Sequence, residues 1–120
     1  MRRLNARGLP GVRFETTTFT PEGPGDRMYG GELVKGIRFI TTDREVYDPT
    51  VTAVAAMLDI RAVHPDRFQV KGPGHMDRLA GNTRVREQIM AGAPLDEITG
   101  SWPAQSAAFR QRAQPHLLYR

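Results

Sequence analysis

An α+β fold is what this sequence predicts: a small mixed β-sheet of about three to four strands with helices packed on it, in a single domain covering residues 1–120. Three observations carry that expectation. Segments rich in Thr, Phe, Val and Ile, with partly alternating apolar positions, occupy the first third. A strong helix start, Asp48-Pro49, stands between the second of these segments and a third one. The last third sets apolar residues at helical spacing between Gly and Pro punctuation.

The elements follow in chain order. Arg2 to Arg7 reads as the last turns of a helix whose start would precede it, and Pro10-Gly11 stops it. Val12 to Phe19 reads as a strand. Pro21 to Gly31 is too long and irregular for a tight hairpin, and loops of that kind are frequent ligand contacts. Leu33 to Thr41 is the next strand, with Ile37, Phe39 and Thr41 on one face and Arg38 and Ile40 on the other. Asp48 caps a helix with Val51, Val54, Ala55, Leu58 and Ala62 as its apolar stripe, ended by His64-Pro65. Arg67 to Lys71 reads as a third strand, so a right-handed parallel crossover is expected between the second and third. Then come a short turn at Met76–Ala80, a helix capped by Thr83 with Val85, Ile89 and Met90, and a helix opening at Pro94. Gly100 and Pro103 break the pattern near Trp102, and a last helix runs from Pro103 to Ala113.

Composition narrows the function classes. The net charge of +4 comes almost wholly from arginine, Lys35 and Lys71 being the only lysines. The arginines are scattered among acidic residues and form no basic run, so a solvated basic surface is expected and nucleic acid is not an expected partner. The absence of cysteine excludes disulfides and thiolate metal sites. Arg2-Arg3 is not followed by the apolar stretch of a signal peptide, and no window approaches the roughly 18–20 apolar residues of a membrane span.

Chemistry is sparse. His64, His75 and His116 are dispersed, none with a second ligand at metal-like spacing, so no metal or cofactor is expected. Ser101 and Ser106 are the only serines, and neither sits in a nucleophile elbow. Gly23-Pro24-Gly25 lacks the Lys-Ser/Thr and the helix of a phosphate loop. Glu15, Glu22, Asp26, Glu32 and Asp43 lie in or beside the strands and loop, but no two are set by spacing at the separation that glycoside hydrolysis needs. Asp43 suits a turn, and Asp77-Arg78 suits a cap and ion pair. No complete catalytic constellation is legible. Phe14, Phe19 and Tyr29 flank the long loop, with Arg13 and Arg27 nearby. Aromatic faces pack on sugar C–H surfaces and arginine holds carboxylates, so these five are candidate contacts for an acidic glycan. Core packing is the stronger reading for Phe14 and Phe19, Tyr29 suits either role, and Trp102, Phe109 and Tyr119 read as core or docking residues.

Several motifs together carry a family resemblance: Gly8-Leu9-Pro10-Gly11-Val12-Arg13-Phe14, Phe19-Thr20-Pro21, Tyr29-Gly30-Gly31, Thr42-Asp43-Arg44, Asp77-Arg78-Leu79-Ala80-Gly81-Asn82, and Ser101-Trp102 with Phe109, Arg112 and Leu117-Leu118-Tyr119. In that order they resemble the C-terminal domain of the exo-β-N-acetylmuramidase family. The resemblance implies a bacterial, exported peptidoglycan hydrolase that removes terminal N-acetylmuramic acid. It also implies an N-terminal Rossmann-like catalytic domain, not part of this sequence, with the substrate cleft where the two domains meet. No catalytic residue is carried over. Two segments depart from the family pattern, Gly25-Asp26-Arg27-Met28-Tyr29 and Val34-Lys35-Gly36, and Pro103 interrupts a helix that runs longer in relatives.

The expected role is therefore an auxiliary, cleft-completing domain, inactive alone. Its expected partners are the N-terminal catalytic domain of the same natural protein and a peptidoglycan-derived sugar. The resemblance sets the segment from Arg13 to Tyr29 on the cleft-facing side. A non-catalytic glycan-binding or protein-interaction module is the competing expectation.

Overall fold

The computed structural model describes residues 1–25, 28–70 and 72–118, with the side chain of Pro73 left aside. The fold is α+β, as expected, and the chain divides into two compact units, Met1–Ala53 and Val54–Arg120.

In the first unit, helix α1 (Arg2–Ala6) leads into strand β1 (Val12–Phe19), which pairs with β2 (Val34–Thr41). The pairing is antiparallel, with Val12 opposite Thr41, Phe14 opposite Phe39 and Phe19 opposite Val34. Thr42 N–H donates to Gly11 C=O at 2.8 Å and closes the ladder at that end. Phe14 is buried, and its ring meets Phe39 edge-on with centroids 5.1 Å apart. Such edge-to-face pairs stabilise by about 0.5–1.5 kcal/mol beyond area burial. Leu4 of α1 is buried too.

Helix α2 (Pro49–Val63) starts as its sequence dictates. Asp48 Oδ1 accepts from the N–H groups of Thr50 at 2.8 Å and Val51 at 2.9 Å, satisfying two donors that a helix start leaves open. Val54, Ala55 and Leu58 of the expected stripe are buried, whereas Ala62 is exposed.

The sheet corrects the expected strand count. Among the described residues it has two strands. Arg67 to Val70 is not a strand, and Lys71 lies outside the described residues. The chain leaves α2 through a turn in which His64 C=O accepts from Arg67 N–H at 3.1 Å and Phe68 N–H at 2.9 Å. Phe68 then packs against the core of the second unit. Its alternation with polar neighbours reflects one anchored side chain in a loop, so the expected parallel crossover is absent among the described residues.

That second unit is helical: α3 (Pro73–Ala80), α4 (Arg84–Ala91), α5 (Leu95–Thr99), α6 (Trp102–Ala113) and a 3-10 turn at Gln114–His116. Its core is Val54 and Leu58 of α2, Ile89 of α4 and Ile98 of α5, with Met76, Val85 and Trp102 packed around them. Pro103 lies in the first turn of α6, where its missing N–H costs nothing, so it opens that helix instead of kinking one. Phe109, read from sequence as a core or docking residue, is 62% exposed, and Tyr119 lies outside the described residues. No helix among the described residues is long and apolar enough to cross a membrane.

Candidate functional site

The β1–β2 ladder and the loop joining its strands hold the candidate contacts. Asn5 defines how the ladder is oriented. Its side chain engages both the N–H and the C=O of Phe14, so these groups face away from β2. Phe14 and Phe39 therefore form a non-hydrogen-bonded pair of the antiparallel ladder, where side chains stand closest. The bond from Thr42 to Gly11 fits the same alternation. Phe14, Thr16 and Thr18 share one face with Phe39, Ile37 and Lys35; Arg13, Glu15, Thr17 and Phe19 share the other with Ile40, Arg38, Gly36 and Val34.

This alternation separates the residues singled out from sequence. Phe14 is a core residue of the first unit. Arg13 projects on the opposite face and pairs with Glu15. Phe19 shares that face but sits six residues along, about 20 Å away at strand rise. Its ring is 53% exposed and lies over Gly36, where an added Cβ would come within 3.3 Å of Phe19 Cε1. Glycine here makes room for a close approach. Tyr29 is 56% exposed and holds φ +58°, the only positive φ at a non-glycine among the described residues. Its C=O accepts from Glu32 N–H at 3.1 Å, and Pro21 C=O accepts from Gly31 N–H at 3.0 Å, which ties the loop ends together. A left-handed tyrosine costs on the order of 1 kcal/mol, a strain that concentrates at functional loops. Arg27 lies outside the described residues.

Sequence reasoning missed a second group. Thr16, Thr17, Thr18, Lys35 and Gly36 line an open groove of about 540 Å³ at the far end of the ladder. Its signal was the triplet of threonines on a strand, which β pairing sets opposite Lys35-Gly36-Ile37.

Four carboxylates are committed to structure, and Asp26 lies outside the described residues. Glu15 binds Arg13, Asp43 Oδ1 accepts from Glu45 N–H at 2.9 Å in a turn, and Asp48 caps α2. Asp77 pairs with Arg86 rather than with its neighbour Arg78, through Nε–Oδ1 at 2.8 Å and Nη2–Oδ2 at 3.1 Å. Donating to the Asp77 carboxylate holds the Arg86 guanidinium above its ordinary pKa, against a smaller opposing effect of burial. Among the described residues no three His, Asp or Glu side chains converge as metal ligands.

Known proteins align with this chain along nearly its whole length. The family described as the C-terminal part of exo-beta-N-acetylmuramidase NamZ matches residues 1–119. A relative from Bacillus subtilis (strain 168), peptidoglycan beta-N-acetylmuramidase NamZ, is 29% identical over 116 residues, covering 97% of this chain and 27% of that protein. The crystal structure of a DUF1343 family protein from Bacteroides fragilis NCTC 9343 superposes with a TM-score of 0.80 at 22% identity, over 99% of this chain and 33% of the other. The chain thus spans about a quarter of the length of the curated relative it matches.

Proposed function

The chain belongs to the family of NamZ exo-β-N-acetylmuramidase C-terminal domains, and from that premise we propose that it is an auxiliary domain completing the substrate cleft of a peptidoglycan-degrading exo-β-N-acetylmuramidase. The observation that carries the reading is the match over residues 1–119 combined with the 27% share of the named hydrolase that the match spans. A Rossmann-like catalytic domain N-terminal to this one supplies the acid–base chemistry, in an exported protein. The ladder and its loop help to position the glycan: Phe19 and Tyr29 offer half-exposed aromatic surfaces and Arg27 a cation for the terminal sugar, while Arg13, about 20 Å along β1 from Phe19, offers a cation to a more distant part of the glycan. Phe14 contributes by holding β1 in place. Positioning of this kind lowers a barrier by pre-paid orientation and exclusion of water.

One set of observations supports an auxiliary role over a stand-alone enzyme. Glu15, Asp43, Asp48 and Asp77 already serve an ion pair, a turn, a helix cap and an interhelical clamp.

The test is a hydrolysis assay on N-acetylmuramic acid glycosides with the 120-residue chain. No turnover is expected from the chain alone, together with sugar-dependent NMR shifts at Phe19 and Tyr29. Turnover by the isolated chain overturns the auxiliary reading.

A further inference from the structure

The groove on the β1–β2 ladder contains a cation with no internal use. Lys35 stands directly opposite Thr18, with Thr16 two residues back on the same face. All three are exposed. Among the described residues Lys35 has no ion pair, unlike Arg13 with Glu15 and Arg86 with Asp77. Arg38 is partly engaged, donating to Thr17 Oγ1 at 3.4 Å. Among the described residues the lining presents an ammonium with three donors and threonine hydroxyls that can each donate, and no carboxylate. Such a set favours an acceptor-rich anion. Gly36, part of the same lining, carries the half-exposed Phe19 ring on the face of the ladder opposite Thr16, Thr18 and Lys35, so the polar groups alone receive that anion.

We propose that Lys35, Thr16 and Thr18 form a subsite for the carboxylate of an acidic amino sugar, so that this groove distinguishes N-acetylmuramic acid from N-acetylglucosamine. The inference rests on the cleft reading above and adds the residues that select the acid. The lactyl carboxylate is the group by which the first sugar differs from the second. An exposed ammonium–carboxylate pair contributes up to about 1 kcal/mol, so the expected preference is about three- to fivefold, and it weakens with added salt.

The experiment titrates the 120-residue chain with N-acetylmuramic acid, N-acetylglucosamine and acetate, read by amide NMR shifts. The expected result is tighter binding of N-acetylmuramic acid, with the largest shifts at Thr16–Thr18, Lys35 and Gly36. Lys35→Met removes the preference between the two sugars, Lys35→Arg restores part of it, and Thr18→Val weakens N-acetylmuramic acid selectively. All three positions are exposed, and the same spectra report that the variants remain folded. Equal binding of both sugars, unchanged in Lys35→Met, overturns the subsite and leaves the cleft reading standing. Acetate binding as tightly as N-acetylmuramic acid overturns the sugar assignment in favour of a bare anion site. No shift with either sugar at millimolar concentration overturns the subsite, while the cleft reading is judged by the hydrolysis assay above.

Discussion

Asn5 acts as a one-residue strand for Phe14: its Oδ1 accepts from Phe14 N–H at 3.0 Å and its Nδ2 donates to Phe14 C=O at 3.0 Å. A β-strand edge leaves such groups unpaired, and nine residues upstream a single amide satisfies both. It anchors α1 to β1 at the position where Phe14 enters the core. Asn5→Ala leaves both groups without a protein partner and should lower stability by about 1–3 kcal/mol, measured by urea unfolding. Asn5→Asp keeps the acceptor but sets a carboxylate against a carbonyl. Only its protonated form donates, so folding raises the pKa of the new carboxyl. Stability gained from that protonated form is present at low pH and lost as pH rises through the raised value. The deficit relative to wild type should therefore shrink on acidification.

Gly11 should tolerate no side chain. Its φ is +70°, and an added Cβ would collide with Asp43 O and lie 2.8 Å from Tyr47 N, both rigid backbone atoms. Gly11→Ala should destabilise by at least about 3 kcal/mol, strain and collision together. Gly8 has a similar φ of +62° but open space around it, so Gly8→Ala should cost only about 1 kcal/mol. Unfolding midpoints of the two variants separate backbone strain from steric collision.

Ile89 is fully buried at the centre of the second unit. Ile89→Ala should lower stability by about 2–5 kcal/mol and Ile89→Val by about 1 kcal/mol, since the cavity grows with each methyl group lost. Phe109→Ala on the exposed side of α6 should change stability by less than about 0.5 kcal/mol.

The bidentate Asp77–Arg86 pair joins α3 to α4. Asp77→Ala and Arg86→Ala should each lower the unfolding midpoint, and the double variant should lose less than the sum of the two. Arg86→Lys should not restore the loss, because one ammonium cannot reproduce the planar fork. The raised guanidinium pKa gives this contribution its pH range. It is complete below the unfolded pKa and lost only as pH rises through the still higher folded value. Titration of Arg86 should therefore add no pH dependence from neutral to mildly alkaline conditions, as pH-resolved unfolding of wild type and Arg86→Ala checks.

The helical part was readable because its signals are local. Asp48-Pro49, the glycines that close α3 and α4, and the apolar spacing of Val54, Leu58 and Ile89 each act within a few residues. The third strand was not, because Phe68 alternating with polar neighbours has the same local pattern whether it pairs in a sheet or anchors a loop to a helical core. The candidate contacts were legible in residue type only. Arg13, Phe14 and Phe19 lie close along the chain, yet strand alternation sends Phe14 to the opposite face and strand length separates Arg13 from Phe19.

Sequence alone determined the α+β class, the capped start of α2, the glycine stops of α3 and α4, and the family to which the chain belongs, because these are encoded in residue order and short-range spacing, whereas α3 begins at Pro73 and not at Met76. Tertiary structure alone decided that the ladder has two strands among the described residues, that Asn5 completes its edge at Phe14, and that Thr16, Thr18 and Lys35 meet in one groove. Those facts depend on which strand pairs with which and in what register. A one-residue slip would send every side chain to the other face, so register is set by packing across the whole unit and not by any segment by itself.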